Sequence, residues 1–247
     1  MRCEETRLAK PVVLAIDGPA GAGKSTVAER LAAELGYFYF DTGVLYRAVA
    51  VRCLQLGADL TDEVALGETV RTISILVQPP SVHDGRQLDV ILEGEDVSKQ
   101  IRTPAVDAIV SKVAASPAVR AGLIDLQRQQ IQGQGTIMAG RDIGTVVCPD
   151  ADLKVFLTAS SGERALRRLR QTGAPAEQLA ATQAALDERD RQDSSRSISP
   201  LMRADDAVDL DSDGKTIGEV VATVRALLDA RLAASEAHQA SVVRSET

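Results

Sequence analysis

At 247 residues, 45% of them hydrophobic, the chain can bury the core of one domain with insertions, while its net charge of −7 argues against broad binding to nucleic acid or an acidic membrane. Cys3, Cys53 and Cys148 are odd in number and far apart, with no C-x-x-C; this indicates neither a disulfide frame nor a zinc site and fits a reducing, cytoplasmic compartment. Five of the six aromatics lie within residues 37–46, unlike the dispersed rings of a single-strand nucleic-acid platform.

The start, Met1-Arg2-Cys3-Glu4-Glu5, lacks the apolar run of a signal peptide, and no apolar stretch approaches membrane-spanning length. Pro11 to Ile16 reads as a short buried strand. It is followed by Gly18-Pro19-Ala20-Gly21-Ala22-Gly23-Lys24-Ser25-Thr26, which has the form G-x-x-x-x-G-K-[ST] of a phosphate-binding loop. Val27, Ala28, Leu31, Ala32 and Leu35 then recur at helical spacing, and Gly36 marks the stop. Strand, glycine turn and helix are the context the motif needs. Backbone N–H groups turn toward phosphate oxygens, and the helix N-terminus adds its positive dipole end. Lys24 is expected to reach the β- and γ-phosphates, and the Ser25 hydroxyl to help hold Mg²⁺.

Residues 37–40 form a second apolar strand ending at Asp41-Thr42-Gly43, a polar turn of the kind that meets ligands in open α/β sheets. Helices follow to Gly57 and over Glu63 to Arg71. Ile73 to Val77 and Leu88 to Leu92 read as two strands joined by a turn-rich connection, which predicts a small antiparallel inset. Ile101-Arg102-Thr103-Pro104 leads into one helix, and Ser116-Pro117 starts another that runs to about Gln132. Strands at Thr136 to Ala139, Leu153 to Leu157 and Ala207 to Leu210 rebuild the core, with Gly140-Arg141-Asp142 at the end of the first. Ser160 and Ser161 can cap the helix that follows. Thr216 and Glu219 form a capping box for the last helix, beyond which residues 233–247 lose periodicity. The pattern predicts an α/β fold with a central parallel sheet flanked by helices.

Positive charge is concentrated between residues 164 and 203 as arginine. Arg164, Arg167 and Arg168 have the spacing that shares one helix face, with Glu163 the only nearby acid. In a helix, Arg189, Asp193 and Arg196 fall on one stripe while Arg191 points elsewhere. Such clusters are more often solvated, salt-bridged faces, but a phosphate loop in the same chain favours recognition of a phosphoryl group by planar guanidinium forks. His83 and His238 lie in a turn and in the tail, so no histidine base is well placed. A phosphate acceptor needs none, because a phosphomonoester loses its second proton near pH 6.

Five stretches together resemble the bacterial cytidylate kinases among the nucleoside monophosphate kinases: IDGPAGAGKSTVAERLAAELGY (16–37), DTGVLYR (41–47), LDVILEGEDVSKQIRT (88–103), GRDIGTVVCPDA (140–151) and DERDRQDSSRSISPL (187–201). The resemblance implies a P-loop kinase core over 11–71, 133–160 and 197–232, and an NMP-binding inset over 72–132. It also implies a helical lid and Arg-rich segment over 161–196, with flexible termini at 1–10 and 233–247. The expected substrates are ATP, with Mg²⁺, and CMP or dCMP, in a monomeric protein with no nucleic-acid or membrane partner.

By the same resemblance, residues 18–26 hold the ATP phosphates. Thr42, Arg47, Arg141 and Arg196 surround the CMP phosphate. Ser111, Arg120 and Asp142 read the cytosine, and Arg189 with Asp193 holds the ribose. Lys24, Arg141, Arg164, Arg168 and Arg196 form the catalytic set. Ala139 and Cys148 depart from the usual residues, an acid and a phenylalanine, and the Pro79–Gln87 connection is long. Another P-loop kinase, acting on UMP, shikimate or dephospho-coenzyme A, and a nucleotide-binding regulator without turnover are the competing readings.

Overall fold

The structure, a computed structural model, describes residues 11–131 and 133–245; the predicted flexible segment 1–10 lies outside the described residues. Strand β1 (Val13–Asp17) is buried at every position, as a strand covered on both faces must be. It pairs in parallel with β6 (Thr136–Gly140) and β7 (Leu153–Thr158). β2 (Phe38–Asp41) adds beyond β6, and β8 (Val208–Asp211) beyond β7. The resulting five-stranded parallel sheet has the order β2-β6-β1-β7-β8. The turns after β1, β2 and β6 therefore open at the same edge, where ligands bind in such sheets.

Helix α1 (Lys24–Leu35) follows the glycine loop and closes on Gly36, whose φ of 67° suits a left-handed C-terminal cap. Its apolar residues Val27, Ala28, Leu31 and Ala32 are buried. The inset is a three-stranded antiparallel sheet of β3 (Ile75–Gln78), β4 (Asp89–Leu92) and β5 (Glu95–Asp96), one short strand more than the sequence predicts. Around it lie α2 (Gly43–Leu56), α3 (Glu63–Thr72), α4 (Pro104–Ala115) and α5 (Pro117–Gln129). The Ser116 hydroxyl caps α5 by accepting the Val119 N–H at 3.2 Å.

α6 (Ser161–Thr172) and α7 (Leu179–Ser194) pack as a pair beside the sheet. Ser160 caps α6, and Thr216 with Glu219 forms the predicted box before α8 (Ile217–Ser245). Beyond residue 233, where the sequence loses its periodicity, α8 continues in helical conformation to Ser245. Its run Ala233-Ala234-Ser235-Glu236-Ala237 has no apolar stripe but high helix propensity. Among the described residues no helix is long and apolar enough to cross a membrane.

Candidate active site

The glycine loop bends tightly between β1 and α1. At Gly18, φ is 145° and a Cβ would lie 2.0 Å from the Leu157 carbonyl oxygen, so only glycine lets the loop pass under β7. Lys24 is buried at the first turn of α1, and its Nζ donates to the Pro19 carbonyl at 2.7 Å. Burial holds its pKa well below the usual lysine value, and Arg141 adds to this; Asp41 and Asp17 act in the opposite direction. A negatively charged ligand at the loop would restore the charged form.

Arg164 and Asp190 enclose the loop from α6 and α7. Arg164 Nη1 donates to the Ala20 carbonyl at 2.9 Å and to Asp190; its Nε bonds the Ala159 carbonyl and its Nη2 reaches Asp187 at 3.3 Å. Asp190 also accepts the Ala20 N–H at 2.9 Å. Arg167 pairs with Glu163 and donates to the Ser212 hydroxyl and carbonyl. Arg168 is exposed, and among the described residues its side chain bonds only Gln171 in its own helix. The expected arginine face with surplus charge is thus divided. Asp187 and Asp190, remote in sequence from α6, neutralise Arg164, and the structure does not bring Arg168 to the loop.

A second cluster gathers at the ends of β2 and β6. Asp193 accepts Arg141 Nε at 2.9 Å on one oxygen and Arg196 Nη2 on the other. Arg189 is pushed down to about 10 by burial, with Arg141 and Arg47 adding to the effect, and it remains charged at neutral pH. Among the described residues the buried Nε atoms of Arg189 and Arg196 have no hydrogen-bond partner, which leaves two donors available to a ligand's acceptors. Arg47 bonds the Ile101 carbonyl at 2.7 Å and pairs with Asp107 at 2.8 Å. The Thr42 hydroxyl is held by the Ala139 carbonyl at 3.2 Å.

Deeper in, Arg120 Nη1 pairs with Asp142 Oδ2 at 3.0 Å, both side chains being less than a tenth exposed. Arg120 also lies over the Tyr46 ring at 5.3 Å and is anchored through Nε to the Ala114 carbonyl at 2.7 Å. Ser111 sits half-buried on α4, one turn before Ala114.

Among the described residues no cluster of three or more His, Cys, Asp or Glu could cage a metal. Magnesium draws most of its ligands from water and phosphate oxygens. The Ser25 hydroxyl in the first turn of α1, with the Asp41 carboxylate close enough to act on Lys24, suits such an ion carried in on a triphosphate.

The structure therefore brings together Lys24 and the loop, Arg141, Asp193 and Arg196, and Arg120 with Asp142. Sequence reasoning missed Asp17 and Asp190. Each stood beside a residue already singled out, Gly18 and Arg189, and only tertiary contacts reveal what its carboxylate does.

A family model described as cytidylate kinase matches residues 14–230. The chain is 46% identical over 223 residues to a cytidylate kinase of Desulfitobacterium hafniense, covering 89% of this chain and 94% of that one. It is 48% identical over 221 residues to a cytidylate kinase of Chloroflexus aggregans, covering 87% and 92%. A bifunctional pantoate ligase/cytidylate kinase of Synechococcus elongatus is 49% identical over 212 residues, which are 84% of this chain and 40% of that protein. The chain thus spans well under half the length of the bifunctional relative.

Proposed function

The chain belongs to the cytidylate kinase family, and we propose that it phosphorylates CMP or dCMP with ATP, yielding CDP or dCDP and ADP, as a cytoplasmic monomer of pyrimidine nucleotide metabolism. The observation that carries this reading is the pair of buried, unpartnered guanidinium nitrogens on Arg189 and Arg196, in the cluster whose Arg141 acts on the buried Lys24.

Residues 18–26 hold the ATP phosphates through backbone N–H groups, and Lys24 bridges toward the γ-phosphate. Ser25 would help hold magnesium, which when bound would offset charge on the triphosphate. Thr42, Arg47, Arg141 and Arg196 hold the acceptor phosphate, a dianion above pH 6 and so a nucleophile without a base. One of its oxygens bonds the γ-phosphorus as the bond to the β–γ bridging oxygen breaks, and that electron pair leaves on ADP. Arg141 and Arg196 offset charge on the transferring group, Arg164 orders the loop beneath it, and Arg168 closes over it when the lid of residues 161–196 moves. Catalysis is alignment plus electrostatics.

The base is read by Ser111, Arg120 and Asp142. Cytosine offers an amine donor beside ring-nitrogen and carbonyl acceptors. Uracil would set a carbonyl oxygen against the Asp142 carboxylate, an unpaired contact that disfavours it by roughly one or two orders of magnitude. Arg189 and Asp193 hold the ribose hydroxyls. ADP release measured over CMP, dCMP, UMP, AMP and shikimate tests the reading: CMP and dCMP are the expected acceptors. Preferred turnover of another acceptor, or none with any, overturns it.

A further inference from the structure

Asp142 stands at the head of a single π-turn, Ile143–Val147, where a helical segment leaves its first N–H groups without partners. An aspartate there ordinarily folds its own side chain back to accept one of them. Asp142 makes no such bond; its Oδ2 accepts from Arg120 instead. The cap comes from another strand. Asp17, the last residue of β1, accepts the Ile143 N–H on Oδ1 at 2.9 Å and the Gly144 N–H on Oδ2 at 2.7 Å. Its side chain is buried, and none of the phosphate chemistry above uses it.

We infer that Asp17 is a positioning residue for base selection: by capping the π-turn in place of Asp142, it frees the Asp142 carboxylate to face Arg120 and the acceptor's base. The inference rests on the proposed reading of the base by Asp142. Three features support it. The two carboxylates repel, since Asp142 adds to burial in raising the proton affinity of Asp17, so Asp142 is driven away from the turn while Asp17 occupies it. The fit is close: a Cβ on Gly144 would lie 3.0 Å from Lys154 Cδ and 3.4 Å from Asp17 Oδ2. Finally, Asp17 precedes Gly18 directly, so one residue fixes the base-reading turn against the phosphate loop.

The test is the ratio of kcat/KM for CMP over UMP in the full-length protein. Asp17→Asn keeps the shape but sets an amide NH2 donor against one of the two N–H groups, and Gly144→Ala crowds the cap without changing any charge. Asp142→Asn serves as the reference. We expect Asp142→Asn and Asp17→Asn each to lower the ratio about tenfold, and Gly144→Ala to lower it less. The double variant Asp17→Asn/Asp142→Asn should fall no further than Asp142→Asn alone, because one residue acts through the other. General loosening would depress both substrates and leave the ratio intact. A wild-type ratio in Asp17→Asn and Gly144→Ala, with the ratio lost in Asp142→Asn, overturns the inference alone. A wild-type ratio in Asp142→Asn overturns the base reading and the inference with it. If Asp17→Asn does not fold, the Gly144→Ala ratio decides.

Discussion

Arg164 and Asp190 grip the two backbone polar groups of Ala20 from different helices: the guanidinium takes the carbonyl at 2.9 Å and the carboxylate takes the N–H at 2.9 Å. They also pair with each other. One residue of the phosphate loop is thereby tied to α6 and α7 together, so the geometry of the loop depends on those helices being docked. Such a junction is useful where a triphosphate must find its N–H groups already aligned, because preorganised donors cost nothing to orient at the moment of reaction.

Arg164→Ala should therefore affect both stability and the donor nucleotide. It leaves Asp190 and Asp187 facing a side chain that no longer carries charge, and breaking a largely buried pair costs on the order of 3 kcal/mol. Urea denaturation should show a lower midpoint. The KM for ATP should rise while the KM for CMP changes little, because the disturbed residue is Ala20. An unchanged KM for ATP would limit Arg164 to a structural role.

Arg168→Ala should behave in the opposite way. The side chain is exposed and bonds only Gln171, so the denaturation midpoint should not move. If α6 closes over bound ATP and carries Arg168 to the γ-phosphate, kcat falls by roughly 10- to 100-fold. An unaltered kcat would remove it from the catalytic set.

The chain order shows why some of this was legible from residues and some was not. β1, the glycine loop and α1 are contiguous, and each is specified by a local rule: an apolar run, a spacing of glycines, a 3.6-residue period. Of the expected stripe, Arg189 and Asp193 do lie one turn apart on α7, and Arg191 is paired with Glu188, but the helix ends at Ser194 and Arg196 reaches Asp193 from beyond its C-terminal end. Asp187 and Asp190 as partners of Arg164, and Asp17 as the cap of a turn 126 residues away, follow no local rule. Asp187 and Asp190 meet Arg164 because α7 packs on α6, and Asp17 meets its turn because parallel strands bring distant turns to one edge. The helical conformation of α8 beyond Leu232 was not legible for a different reason: periodicity reports burial, whereas a segment without an apolar stripe is helical on propensity.

Arg196→Ala tests the acceptor side. Arg196 shares Asp193 with Arg141, and its unpartnered Nε is buried in the same cluster. If Arg196 holds the transferring group as proposed, losing this donor lowers kcat by roughly 10²- to 10³-fold. Calorimetric affinity for ATP should stay the same, because the loop contacts are untouched. Unchanged turnover would eliminate the proposed role, and a matching loss of ATP affinity would move Arg196 to the donor site.

Asp17 should leave a signature in the pH dependence of stability. Burial raises its pKa from 3.8 to about 6, and the two N–H bonds only partly offset this. Between those values the native protein holds a proton that the unfolded chain has released. Stability therefore declines on this group's account as pH rises through the window, by on the order of 2–3 kcal/mol in total. Carboxylates held low, such as Asp96 at about 2 through Ser98 and Arg86, act with the opposite sign and below this window. Comparison with Asp17→Asn cancels them. In urea unfolding at pH 4.5 and pH 7, the wild type should lose stability relative to Asp17→Asn on going to the higher pH. A difference that stays constant across the two values would mean that Asp17 titrates no higher than about 4 in the folded protein, its N–H bonds having at least balanced the cost of burying its charge.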